Sequence, residues 1–182
     1  MTNVFESMKD LFTPQAADQQ QNPLHVGEVT HAWVLLTLIE EGLTVYQQSL
    51  NTTKDDELIH ALRNGQQAAT DIAEQLRSFL RKEGIPLPPA SEDKPLSDPD
   101  AIPLGVKHTD EELANLTSAK ISAEITLLGQ ALAVCVRDDI CKLFFEIQYE
   151  IFKFGCSLKK LMSKRGWLKI PPYYYPPGYS EK

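Results

Sequence analysis

Apolar residues recur along this chain at steps of three and four, in four long runs separated by polar or proline-rich breaks. That spacing predicts helices with one buried face. The first runs from about Leu24 to Leu50, with Val26, Val29, Trp33, Leu36, Leu43 and Leu50 on its inward stripe. Asn51-Thr52-Thr53 predicts a tight turn, and Thr53 is placed to cap the second helix with Asp56 at the capping-box acid position. That helix carries Leu58, Leu62, Ala69, Ile72, Leu76, Phe79 and Leu80, and stops at Gly84. The stretch GIPLPPASEDKPLSDPDAIPLGVKH follows, and its prolines forbid a regular helix. Thr109 and Glu112 form a capping box for the third helix, which uses Leu113, Leu116, Ile121, Leu127, Leu128, Leu132 and Cys135. Asp138 and Asp139 open the fourth, where the helix dipole favours acids. Ile140, Leu143, Phe144, Ile147, Ile151, Phe154, Leu158 and Leu161 follow, with an end near Gly166.

The two halves match. RKEGIPLPP at 81–89 resembles SKRGWLKIPP at 163–172, with Gly84 and Gly166 lying 82 residues apart. The same offset sets Asp56-Glu57-Leu58 on Asp138-Asp139-Ile140, Ala61-Leu62 on Leu143-Phe144, Gln66 on Gln148, Ile72 on Phe154 and Leu76 on Leu158. In each copy Gly supplies a left-handed helix terminus and Pro then prevents continuation. Short loops within each half predict two antiparallel hairpins. The connection between them is long enough to run the length of a bundle. The expected fold is therefore all-α: a ferritin-like antiparallel four-helix bundle of two similar hairpins with a long crossover. In this reading residues 1–22 form a short amphipathic segment and linker, with Val4, Phe5, Met8, Leu11 and Phe12 as its apolar positions. Residues 23–166 form the bundle, 84–108 its crossover, and 167–182 a tail rich in Pro and Tyr.

Composition narrows the function classes. The 182 residues suit one domain with a real core. The formal net charge of -7 argues against duplex nucleic acid or an anionic membrane as partner. The N-terminus lacks the layout of a signal peptide, and no segment offers the uninterrupted apolar length of a membrane helix. Cys135, Cys141 and Cys156 fall inside helical patterns and read as reduced, buried thiols of a cytoplasmic protein.

A ferritin-like bundle makes a carboxylate-bridged dimetal centre, with iron or manganese, the sharpest chemical hypothesis. It needs a Glu on each of two helices and Glu-x-x-His on each of the other two. Glu28-Val29-Thr30-His31 and Glu57-Leu58-Ile59-His60 have that form, but both open antiparallel helices, so they fall at opposite ends. Three residues after Glu146 and Glu150 stand Tyr149 and Lys153, which cannot play the histidine role. At mid-height Glu40, Glu124 and Glu150 are candidates to converge, with Asp71 or Glu74 completing an acidic ring. His25, Glu28 and His31 are the candidates for a mononuclear site, against a plain Glu28–His31 pair at the bundle rim. His60 and His108 read as exposed helix-start residues. Phosphate-loop, CxxC and nucleophile-elbow motifs are missing. The expected role is accordingly non-catalytic and without cofactor, the alternative a metal-binding protein or dimetal oxidoreductase.

The tail is the other unusual feature. Trp167, Tyr173, Tyr174, Tyr175 and Tyr179 are spaced by prolines in a stretch expected to be extended. Either the rings fold back over the bundle end, or they form a strip for another subunit, since Tyr joins apolar area to a polar tip.

RKEGIPLPP, the run from LTSAKISAEITL through RDDICKLFFEIQYE, and SKRGWLKIPPYYYPPG resemble a bacterial helical-bundle family related to spore coat protein F-like proteins. The likeness covers residues 24–178. It implies a ferritin-like bundle and a coat or spore-associated structural role. The implied partners are coat proteins or further copies of the chain, and the implied site of synthesis is the mother-cell cytoplasm. His25 departs from the small capping residue that relatives place before the first helix.

Overall fold

A computed structural model describes residues 22–178. The predicted N-terminal amphipathic segment and Tyr179 lie outside the described residues. Four helices make up the bundle: α1 (Val26–Leu50), α2 (Asp56–Lys82), α3 (Asp110–Val134) and α4 (Asp138–Arg165). A single 3-10 turn, Pro99–Ala101, interrupts the crossover.

Local chemistry sets the helix ends. His25 takes the capping position before α1: its Nδ1 accepts from Gly27 N at 3.0 Å, and Glu28 Oε2 accepts from His25 N at 3.0 Å. This is a capping box with an imidazole in the usual hydroxyl's place. Thr109 and Glu112 form the expected box before α3. At α2 the expectation fails, because Asp55 caps it by accepting from Leu58 N at 2.9 Å. Thr53 is instead buried and donates to Asp110 Oδ1 at 2.6 Å. Gly84 and Gly166 both sit at φ 72. Beyond each, Ile85 N donates to Leu80 O at 2.9 Å and Trp167 N to Met162 O at 2.8 Å. These are matching Schellman closures.

The offset read from the sequence governs the core. Leu58, Leu62, Gly65, Ala69, Ala73, Leu76 and Leu80 are buried on α2. Residues 82 positions on, Ile140, Phe144, Ile147, Ile151, Gly155, Leu158 and Met162, are the buried set of α4. On α1, Ala32, Leu35, Ile39, Gly42, Tyr46 and Ser49 correspond in the same way to Ala114, Thr117, Ile121, Glu124, Leu128 and Ala131 on α3. Some members of the expected stripes turn outward: Val26 is 82% exposed, and Trp33 and Leu116 lie outside the core, partly in water. The inward face of α1 is rotated toward Ala32, Leu35 and Ile39, where small and branched residues let the helices approach.

Arg137 at the start of α4 meets Glu83 at the end of α2, and Arg165 at the end of α4 meets Asp55 at the start of α2. His25 before α1 lies against Val134 O at the end of α3. Adjacent helices therefore run antiparallel, and α3 starts at the end opposite α1. The crossover climbs along α1, held by Trp33 Nε1 on Pro86 O, Ser91 on Glu41, Gln47 on Asp93 and Asn51 on Pro95. The topology is the ferritin-like one.

The cysteines correct another expectation. Cys135 closes α3 and Cys141 lies in the first turn of α4; a disulfide joins them across Cα atoms 5.6 Å apart. The helix break at Val136-Arg137 folds the chain back, which a continuous helical pattern would not do. Cys156 is exposed, not buried.

Candidate functional site

The bundle centre holds two buried carboxylates, each with its own cation. Glu40 Oε1 accepts from Arg77 Nε at 2.8 Å, and Arg77 also reaches Glu74 at 3.5 Å. Glu124 is paired with Lys120, one turn earlier on α3. The Lys120 ammonium lies 5.1 Å from the Tyr46 ring centroid. Gly42 makes this possible, since any Cβ there would run into the Lys120 side chain. Gly65 likewise leaves room for Tyr46 and Phe154, whose rings meet edge-on at 6.3 Å. A cavity of about 10 Å³ remains between Tyr46, Gly65, Lys120, Glu124 and Phe154, about the space of one water. Burial raises the Glu124 carboxyl above its usual range, with Lys120 opposing. Burial, and then the Glu124 charge, raise the Tyr46 phenol.

These side chains do not fit a dimetal centre. Glu150 lies at the surface, 2.6 Å from Lys153, and does not join Glu40 and Glu124. Asp71 and Glu74 are exposed and complete no ring. The centre offers two carboxylates, two cations and a phenol, whereas bridging two metal ions takes inward histidines and unpaired acids. Among the described residues no three His, Cys, Asp or Glu side chains come close enough to hold an ion.

The two Glu-x-x-His motifs stand at opposite ends, as their helix directions require. Glu28 does not pair with His31. It is 1% exposed and accepts from three backbone amides, those of His25, Val136 and Arg137, at 3.0, 2.8 and 2.8 Å. His31 Nδ1 lies 2.7 Å from Gly27 O. Glu57 binds Lys164 and Arg165, while exposed His60 meets Asn64. His108 is exposed beside Glu112.

Sequence reasoning missed Arg137. Its guanidinium forks onto Glu83 at 2.8 and 2.6 Å, reaches Asp139 at 2.7 and 2.9 Å, and lies over the Phe79 ring. Its signal was faint: a lone base immediately before two acids.

The tail divides in two. Trp167 and Leu168 pack against the core edge, and Trp167 O accepts from Asn115 Nδ2 at 3.1 Å. Beyond them Lys169 still reaches Glu111 at 3.7 Å, while Tyr173 and Tyr174 are 71% and 83% exposed and Tyr175 is half in water. The packed cover thus reaches Leu168, and Tyr173 and Tyr174 beyond it are largely in water.

A ferritin-like bundle whose central acids are neutralised internally defines the class. The chain belongs to the family described as "Protein of unknown function (DUF3231)", which matches residues 14–179. It is 28% identical over 159 residues to "Uncharacterized protein YvdQ" of Bacillus subtilis, covering 87% of this chain and 94% of that one. A crystal structure described as a "putative spore coat protein" from Bacillus halodurans superposes with a TM-score of 0.82 at 30% identity, over 85% of this chain and 98% of the other. A two-domain protein of Anabaena variabilis with a ferritin-like domain matches with a TM-score of 0.63 at 14% identity, over 97% of this chain and 52% of the other, a likeness of fold alone.

Proposed function

We propose that this chain is a structural component of the spore coat, made in the mother-cell cytoplasm and acting by packing against other coat proteins, with no catalytic step. The observation that carries the non-catalytic part is the pairing of each carboxylate at the bundle centre with a cation of the same chain, Glu40 with Arg77 and Glu124 with Lys120. An acid already paired with a cation of the same chain is a poor ligand, because a metal must displace that cation, and Lys120, at 9% exposure, has little water to move into. The coat part is supported by likeness to the Bacillus halodurans protein and by that protein's description. The Cys135–Cys141 disulfide supports it too, since such bonds persist outside reducing cytosol. The exposed Tyr173 to Tyr175 strip is the proposed contact with neighbours.

The test has two arms. Protein purified without chelator is expected to carry far less than one iron or manganese per chain. Stoichiometric metal that disappears on replacing Glu40 and Glu124 would overturn the non-catalytic reading. In sporulating cells a tagged chain is expected in the coat fraction, and truncation after Leu168 is expected to lower its incorporation. Uniform cytoplasmic signal in mature spores would sink the coat assignment.

A further inference from the structure

Helices α2 and α4 touch less than any other neighbouring pair in the bundle, and an open groove of about 720 Å³ lies between them. Phe79 and Leu143 form its apolar floor; both pack on the edge of the core and stay only half-buried. Asp71, Gln75, Lys82 and Glu146 stand exposed along its rims. The crossover, held along α1 by Trp33, Glu41 and Gln47, leaves this side uncovered.

The chain enters the bundle at one end of this groove. Arg137 Nη1 donates to Asn22 O at 3.2 Å. The same guanidinium holds Asp139 and lies over the Phe79 ring, and both of those residues line the groove. Residues 1–21 therefore set out from the groove's mouth. Among them Val4, Phe5, Met8, Leu11 and Phe12 fall at i, i+1, i+4, i+7 and i+8, one face of a helix. A helix over residues 4–12 is too short to hold alone in water, so that face needs a surface to lie on. It would rise about 13 Å, against about 16 Å along α2 from Asp71 to Lys82. Residues 13–21 span up to about 30 Å when extended, ample for the return from Asn22.

We propose that residues 4–12 dock as an amphipathic helix in the α2–α4 groove of their own chain, with Met8 and its apolar neighbours over Phe79 and Leu143. This is the helix-in-groove mode of peptide recognition made intramolecular. The rim charges keep the partners they have, Asp139 with Arg137 and Glu146 with Lys142, so apolar burial drives the docking. The tether at Asn22 holds the segment at a high effective concentration, so a shallow groove suffices. Once docked, the segment braces α2 against α4, one helix from each hairpin. The docking concerns the chain alone, so it stands or falls apart from any spore role.

Paramagnetic relaxation in the full chain tests it, with helical circular dichroism confirming that each variant folds. A nitroxide is attached through Glu6→Cys, off the apolar row, in a Cys156→Ser background, with Cys135 and Cys141 already bonded. It is expected to broaden the amides of Gln75, Ser78, Lys142 and Glu146. Leu143→Asp on the groove floor and Met8→Asp in the segment should each abolish that broadening. Met8→Asp alters no residue of the bundle, so it decides the matter even where Leu143→Asp fails to fold. Phe152→Asp, on the outward face of α4, should leave the pattern as it was. Absence of broadening at the groove, its survival in Met8→Asp, or its loss in Phe152→Asp would overturn the proposal. Dilution should also leave the pattern unchanged. Broadening that falls on dilution would mean that the groove takes the segment of a second copy, and docking within one chain would be wrong.

Discussion

Glu28 joins elements that lie more than a hundred residues apart. Its carboxylate closes the capping box of α1 and also accepts the Val136 and Arg137 amides ahead of α4. Burial pushes this carboxyl up, but the three amides, aided by the neighbouring His25 ring, outweigh burial and hold it below its ordinary 4.5. A carboxyl whose folded-state pKa is depressed stabilises the fold above its unfolded value, and that contribution fades as pH falls through the folded value. Thermal melts from pH 7 down to pH 2 should therefore lose stability below about pH 4.5 in the wild type. Glu28→Gln should cost about 1–3 kcal/mol at pH 7, since it weakens charge-assisted bonds and, with its oxygen kept on Val136 and Arg137, brings an amide donor against the His25 N–H. The variant should also show a shallower acid limb. An equal acid limb in both proteins would mean that Glu28 is not the group that senses pH.

At the scale of elements, the two corners do related work with different chemistry. Glu28 and Asp110 are 82 residues apart, and each holds the opposite hairpin's turn: Glu28 through two backbone amides, Asp110 through the Thr53 hydroxyl. The α3–α4 corner has further ties in its disulfide and in Arg137, whose side chain is 10% exposed. Arg137→Ala should destabilise by about 3–5 kcal/mol, because it leaves Glu83 and Asp139 without their shared cation. Chemical denaturation of the oxidised protein checks this, and a change below 1 kcal/mol would show the fork to be incidental. Reducing the Cys135–Cys141 bond opens a short loop, for which the chain-entropy estimate is about 2 kcal/mol. A measured midpoint unchanged by reductant would mean that the corner is held by Glu28 and Arg137 alone.

For the molecule as a whole, Trp167 and Leu168 are the part of the tail that packs on the core. Deletion after Leu168 should leave the melting temperature nearly unchanged. Deletion after Gly166 also removes the packed Trp167 and Leu168, and should cost about 1–3 kcal/mol. Equal melts for the two truncations would make Trp167 part of the tail.

The bundle, its hairpins and the crossover were legible in the chain. Periodicity and the Gly-to-Pro exits are local signals, and one offset repeated them across both halves. That offset proved to organise the core more completely than the motifs suggested, since it also relates Ala32 to Ala114 and Ile39 to Ile121. Other features were not legible, because each depends on a helix rotation or a long-range approach that spacing does not encode. Trp33 and Leu116 sit on apolar positions yet lie outside the core, Trp33 against the crossover. Thr53 looked like a cap and became a cross-hairpin donor. Cys135 and Cys141 read as helical thiols until the chain broke at Val136-Arg137.

The central chemistry divides along the same line. By itself the sequence determined that Glu28-x-x-His31 and Glu57-x-x-His60 could not share a site, because antiparallel helices carry their starts to opposite ends. Only tertiary structure decided what Glu40 and Glu124 meet there. Arg77 comes from the neighbouring helix, and Lys120 lies in space that Gly42 leaves on α1. A carboxylate's partner is chosen by the rotation and approach of whole helices, a few ångströms that no residue spacing specifies.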